Sequence, residues 1–542
     1  MKKLTKLIAC LCVAVITCGS LFACGAAKDG EQYLEVYCLY KGYGTDFAQK
    51  SLQAFAEQEW VKEKYPNLEI DFSFDDSNAT AFNKLNNGKN YNTTDLIIGE
   101  ALEEFYGNKG ILANLTDSVY NSTVPNENIT VGDKMIAGIR ENKKYGKESL
   151  ERNVYYGFPW VGGYHGILYN ATILNSLGLE VPVTTDEFIK EIEVISNTNN
   201  SDYNVGYAIA ENTRDGYWAK IFSQLWAQYS GIDSYSDFYY GLVDGQQTTD
   251  VFKSQGRLEA LQVFESIFSP DKISTDYKYD SRKSTYRYIY PYANDASTDY
   301  ITVQTGFLSG YGVFHANGDW FETEMYSYRK NNKDKGNDYE FKFMRTPIIS
   351  SIINVLPDKS VADDVELALV VKAIDSGNTS LKGEGYEVTQ ADYDRIKEAR
   401  SIVTAVSGTA VIPDYASAKD IAIDFLRFMA TDICRDIYLQ NCYGMTPAFN
   451  YTSSMDEGKI SDTHKSRLEI MTSKNLPIVV MPSKTQFPYG IEEFYKYDMY
   501  TTTLEALFSS GKKTARAIFE DEINYWKTAQ TQWQQMISSG GN

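Results

Sequence analysis

The chain has 542 residues, of which 43% are hydrophobic, so a sizeable core and several domains of about 150 residues are possible. Its 72 acidic against 52 basic residues leave a net charge of −20. That balance argues against nucleic acid or an anionic membrane surface as partner, because both are held by basic patches.

Lys2, Lys3 and Lys6 open the chain, and an apolar run from Leu7 to Phe22 follows. The run is shorter than the ~20 residues a membrane-spanning helix needs. A charged start, a short apolar core and a small-residue exit predict a secretory signal over 1–23. The exit, Leu21-Phe22-Ala23-Cys24-Gly25, resembles the bacterial lipobox, in which the cysteine becomes the lipid-bearing first residue. Phe22 departs from that pattern, which prefers a smaller residue there. The resemblance implies lipid attachment at Cys24 and a chain tethered to the outer face of a cell membrane, in a single-membrane bacterium. A diacyl anchor supplies the two chains that stable attachment requires. The alternative is an ordinary cleaved signal with a chance cysteine. Loss of the three lysines takes the net charge from −20 to −23.

After a polar tether over 24–32, Leu34, Val36 and Cys38 alternate as a strand should. Gly42-Tyr43-Gly44 turns the chain, and Thr45 is placed to cap a helix with the apolar face Phe47, Leu52, Phe55 and Ala56. Gly42-x-Gly44 is half of a dinucleotide fingerprint, but Phe47 stands where the third glycine belongs. Leu68, Ile70 and Phe72 make a second strand, a short helix runs to Leu85, and Asp95–Ile98 is a third, buried strand. This rhythm predicts parallel strands, with ligands bound at their carboxyl ends.

The middle continues in the same rhythm. Strands are expected at Val154–Phe158, Ile167–Tyr169 and Tyr207–Ala210. Thr184 or Thr185 caps a helix, and Tyr217–Tyr229 and Arg257–Phe268 are amphipathic helices. Tyr286, Tyr288, Tyr290 and Tyr292 recur at period two within a Tyr-rich stretch, 278–300. It reads as a flap packed on the body or as a rim for an extended ligand. Ala418–Gln440, Lys459–Ser473, Ile491–Ser510 and Thr514–Ser538 read as helices. Pro357–Glu398 is polar and acidic, like an inserted lobe.

Four of the seven cysteines follow the signal. Cys38 suits strand packing; Cys434 and Cys442 are candidates for a bridge that spacing alone leaves open. No Cys-x-x-Cys pair exists and His165, His315 and His464 are scattered, so no metal site is expected.

Three separated stretches resemble the bacterial extracellular solute-binding proteins, family 1, that feed ABC-type sugar importers. The first is Tyr156-Gly157-Phe158-Pro159 with Gly166-Ile167-Leu168-Tyr169-Asn170, continued by Leu174, Gly178, Pro182, Thr185, Glu187 and Phe188. The second runs from Phe307 to Phe314 and closes at Gly318-Asp319-Trp320. The third is Ala422–Ala430 with Tyr443–Ala448. Asp95 and Gly110–Thr116 fit the amino-terminal part. Tyr311 replaces a usual lysine, and 357–398 looks additional. The resemblance implies an α/β, two-lobed periplasmic-binding-protein-like fold of type II, with the ligand in the interlobe cleft. It implies discontinuous lobes, 33–150 with 345–440 and 151–344 with 441–542. It also implies a monomer without cofactor or catalysis, a carbohydrate ligand, and ABC permease subunits as membrane partner.

Sugars present C–H faces and hydroxyls, so their sites want flat aromatic rings and fixed hydrogen-bond groups. The 42 Tyr and seven Trp supply rings, most of them for packing. Candidates where loops leave strands are Tyr43, Asp76, Trp160, Tyr217, Trp218, Asn317, Asp319 and Trp320. Core packing competes for Trp160 and Trp320, and a helix-capping role for Asp319. His165 and His315 read as structural. The competing classes are a lipid-anchored glycosidase and a binding protein for a polyamine or peptide. The first needs two carboxylates ~5–9.5 Å apart across a cleft; neither Gly-x-Ser-x-Gly nor His-Glu-x-x-His occurs. The second would show as a carboxylate cluster in place of stacked rings.

Overall fold

Apolar residues that alternate along three early segments become the centre of a first sheet. A computed structural model describes residues 32–39, 44–145, 154–198, 208–210, 217–240, 242–243, 246–268, 300–332, 339–405, 408–442, 446–450, 461–482 and 514–538. Cys24, Tyr43, the Tyr-rich stretch before Tyr300 and the helix expected over 491–510 lie outside the described residues.

The strands that build the two main sheets are, in chain order, β1 (Gln32–Leu39), β2 (Leu68–Asp75), β3 (Leu96–Glu100), β4 (Phe158–Pro159), β5 (Tyr164–Asn170), β6 (Phe314–Gly318), β7 (Phe341–Met344), β8 (Ile402–Ala405), β9 (Gly408–Val411) and β10 (Val479–Val480). The first sheet has the order β2-β1-β3-β9-β4. β1 runs parallel to β2 and β3, as the strand–helix–strand rhythm predicts, with Gln32 opposite Leu68 and Val36 opposite Leu96. β9 joins antiparallel to β3 and β4. The second sheet has the order β10-β8-β5-β6, and β7 also pairs with β5. Together with the helices this is a mixed α/β, two-domain architecture.

Helix Asp46–Glu57 buries Phe47, Leu52 and Phe55 as its apolar face predicts. Burial of a ring such as Phe55 contributes about 1.5–3 kcal/mol. Thr45 stands at the N-cap without a side-chain bond, whereas Thr184 does cap its helix, accepting from Glu187 N–H. The single helix expected over Ala418–Gln440 is two, Lys419–Met429 and Asp432–Asn441. Thr431 breaks it by accepting from the Cys434 N–H, so its side chain starts a new helix. The strand expected over Val154–Phe158 is broken: Val154 makes an isolated bridge to Tyr145, Tyr155 stacks on Tyr120 at 3.8 Å, and the sheet strand starts only at Phe158. Ile209 makes an isolated bridge to Phe314 where a strand was expected. Cys38, Cys434 and Cys442 are buried thiols outside any disulfide, and Cys434 donates to the Ser51 hydroxyl at 3.2 Å.

The division expected at 345 is corrected by sheet membership. β8 pairs with β5 in the second sheet, and Leu367, Val370, Val371, Ile374 and Ile396 pack into the core around β5 and β6. Only from Gly408 does the chain enter the first sheet. The polar stretch 357–398 therefore carries an apolar inner face. Phe158 and Pro159, expected with the second lobe, pair in the first sheet. The chain thus passes between the sheets from β4 to β5 and back from β8 to β9. A third passage is Thr446–Asn450: Pro447 bridges Val161 and Phe449 bridges Met135. Among the described residues no helix is long and apolar enough to cross a membrane.

Candidate ligand-binding site

The strand pairings fix which end of each sheet faces the passages. In the second sheet that end holds Tyr164 and His165, opposite Ala405, Thr404 and Gly318. In the first it holds Pro159 opposite Thr409, and Gly408 opposite Glu100.

Two partly exposed aromatic side chains meet at the second sheet's end. Tyr217, first residue of helix Tyr217–Ser230, lies 5.9 Å from Trp320, centroid to centroid. Buried His165 completes the group, 5.8 Å from each ring. Its Nε2 bonds the Tyr217 carbonyl at 2.9 Å, which ties the helix start to β5. Gln224, further along that helix, donates to the Thr404 hydroxyl at 2.9 Å and accepts from Thr346. Burial, with Lys220 nearby, pushes the His165 pKa well below its ordinary value, so its ring is neutral at neutral pH. Such a cluster offers two ring faces held by a fixed polar frame.

The other candidates fall elsewhere. Trp160 is 2% exposed and stacks on Phe47 at 4.4 Å, with Tyr438 edge-on, so its ring belongs to the core. Trp218 is 1% exposed, against Phe264 and Phe268. Asn317 is buried and structural: its Oδ1 accepts from the Gly318 N–H and its Nδ2 meets His315 Nε2 at 2.9 Å. His315 Nδ1 bonds the Ala210 carbonyl, and burial lowers the His315 pKa to about 4. Asp319 is fully buried and accepts from the Thr446 N–H at 3.3 Å. Asp76 is exposed just past the carboxyl end of β2, beside Asp75, which accepts from Tyr37 and the Ser77 N–H. The cluster therefore unites Tyr217 and Trp320, places Asp76 on the other sheet, and withdraws Trp160, Trp218, Asn317 and Asp319 into the interior.

Sequence reasoning gave His165 a structural role and did not raise Thr404 or Gln224. Nothing local marks the last two: Thr404 enters through pairing between β5 and β8, and Gln224 through its bond to Thr404. Also unforeseen is a buried ion pair in the first domain. Lys143 Nζ lies 2.9 Å from Glu103, both under 4% exposed, and the Thr409 hydroxyl donates to the same carboxylate. Among the described residues no group of His, Cys, Asp and Glu is arranged to hold a metal ion. A groove of about 560 Å³ lies away from this end, with Arg345 and Arg400 in its lining. Arg345 is spent on the carbonyls of Ile470 and Leu476, and Arg400 on Asp375.

Residues 44–281 match the family model described as bacterial extracellular solute-binding protein. The fold is that of family 1 solute-binding proteins. The sugar-binding protein MalE from Xanthomonas citri aligns over 93% of this chain and 99% of its own, with a TM-score of 0.58 and 13% identity. The bacterial solute receptor AcbH, described as preferring β-D-galactopyranose, aligns over 92% and 99%, with a TM-score of 0.57 and 12% identity. RafE, in complex with raffinose, aligns over 92% and 99%, with a TM-score of 0.52 and 13% identity. No curated protein sequence matches the chain.

Proposed function

We propose that this protein captures a sugar or short oligosaccharide between its two lobes and hands it, unaltered, to an ABC importer. The observation that carries this reading is the pairing of Tyr217 and Trp320 at the hinge end of the second sheet, framed by His165. Aromatic faces beside fixed hydrogen-bond groups suit a pyranose ring. The sugar specificities stated for the similar structures support the same class. Asp76, on the first sheet, is the hydroxyl-binding candidate from the opposite side, and Tyr43 belongs to the same set.

The lobes of this reading are 32–159 with 408–442, and 164–405 with 461–538, revised by the sheet memberships above. Helix Ala515–Ser538 joins the second lobe through Ala515 N–H to Glu265 and the Arg257–Glu522 pair. Closure about the passages is a two-state change that a ligand favours by contacting both lobes. Attachment through Cys24 keeps the receptor at the outer membrane face.

The test is a thermal-shift screen of the purified chain against mono- and oligosaccharides, with polyamines and peptides as controls. A ligand that binds only the folded state raises the melting temperature by mass action. A shift with one glycan set and no product released supports the reading. Shifts confined to polyamines or peptides, or consumption of a glycan, refute it. Labelling with a palmitate analogue, lost in Cys24→Ser, tests the anchor.

A further inference from the structure

Thr446, on the third passage between the domains, is held from three sides. Its N–H donates to Asp319 Oδ2 at 3.3 Å, its hydroxyl accepts from Arg467 Nε at 2.6 Å, and its carbonyl accepts from the Gly162 N–H at 2.7 Å. Gly162 lies on the first passage, between β4 and β5. Asp319 follows β6, and its own N–H donates to the Tyr164 carbonyl on β5. Arg467 sits on helix Asp462–Met471, its guanidinium 5.6 Å from the Phe343 ring. Two passages and two elements of the second domain are therefore tied at one residue.

The tie is incomplete. Among the described residues, Asp319 Oδ1 and both Nη atoms of Arg467 are buried without a hydrogen bond of ordinary geometry, and both side chains are 0% exposed. The carboxylate and the guanidinium influence each other electrostatically without a direct bond. A buried charged group left unsatisfied keeps its desolvation penalty. An arrangement that joins the two charges relieves that penalty; in the present one both groups bond Thr446 instead.

We propose that Asp319 and Arg467 form a hinge latch: they hold Thr446 in the present conformation and pair directly when the passage shifts on ligand binding. They are positioning residues, not ligand contacts. The ligand-binding half of this inference rests on the function proposed above. Asp319 precedes Trp320, so the latch also ties ring placement to the hinge.

The experiment uses the full chain in detergent, as wild type, Asp319→Asn, Arg467→Gln and the double variant. Asp319→Asn keeps an oxygen for the Thr446 N–H while removing the charge. Without ligand, amide exchange at Thr446 and Gly162 is expected to quicken at least tenfold in Arg467→Gln. With the glycan found by thermal shift, Asp319→Asn is expected to bind about tenfold more weakly at an unchanged or raised melting temperature. The double variant should bind no worse than either single one. Wild-type affinity and wild-type exchange in both single variants would overturn the latch. A purely structural role would lower the melting temperature and leave affinity intact, which also overturns it. If wild type binds no glycan, the functional reading fails, and unchanged exchange at Thr446 then decides against the latch separately.

Discussion

Gly318 lies directly beneath the indole of Trp320: a Cβ at position 318 would occupy the space of the six-membered ring. The glycine at the end of β6 thus sets how the tryptophan presents itself beside Tyr217. Gly318→Ala should push the ring outward, a small-to-large change that costs about 1–3 kcal/mol. The expected outcome is ligand affinity weakened roughly tenfold, with tryptophan emission altered before ligand is added. Calorimetric titration with emission spectra checks both.

The chain's three histidines are all buried, and all have lowered pKa values, His315 to about 4. Burial is the first cause for each. Between the folded value and the ordinary 6.5, the unfolded chain binds more protons, so stability rises with pH. The stability these groups contribute is complete above about 6.5 and is lost as pH falls toward 4. His464→Gln should flatten that fall, measured as melting temperature from pH 7 to pH 4.5.

Asp319 works in the opposite direction. Burial raises its carboxyl to about 6, against the pull of the Arg467 charge and the Thr446 N–H. Between about 4 and 6 the folded state binds the extra proton, so this group's contribution falls as pH rises and is least favourable above 6. The difference at neutral pH is on the order of 2–3 kcal/mol. Asp319→Asn removes it, and the variant's melting temperature should exceed that of wild type more at pH 7 than at pH 4.5.

How much could be read beforehand differs by element. β1 and β2 were legible because apolar residues alternate along each, and β3 because a short continuous apolar run, Leu96–Ile98, suits a strand buried on both faces. The buried faces of the helices at Asp46 and Thr185 were legible from their apolar spacing. Trp160 and Trp320 were not separable, since both follow a strand and both neighbour glycines. What divides them is tertiary: Phe47 and Gly408 close over Trp160, while the space over Gly318 leaves Trp320 partly exposed. Arg467 gave no local signal, and nothing local joins it and Thr446 to Asp319, which comes from a distant strand end. The polar surface of 357–398 hid an apolar inner face spread thinly over two helices.

The Glu103–Lys143 pair makes a stability prediction for the first domain. Removing one member of a buried pair strands the other charge, which costs about 3–5 kcal/mol. Lys143→Met should lower unfolding free energy by that amount in urea. Lys143→Met with Glu103→Leu should recover most of it, because no charge is then left alone.

The central claim is that Trp320 and Tyr217 receive a glycan, and titration calorimetry of wild type and Trp320→Ala tests it most directly. Wild type should bind one glycan class saturably, with the sugar recovered intact. Trp320→Ala should bind at least tenfold more weakly at a melting temperature within a few degrees of wild type. Equal affinity in the two proteins would contradict the site, and heat only from polyamines or peptides would contradict the ligand class.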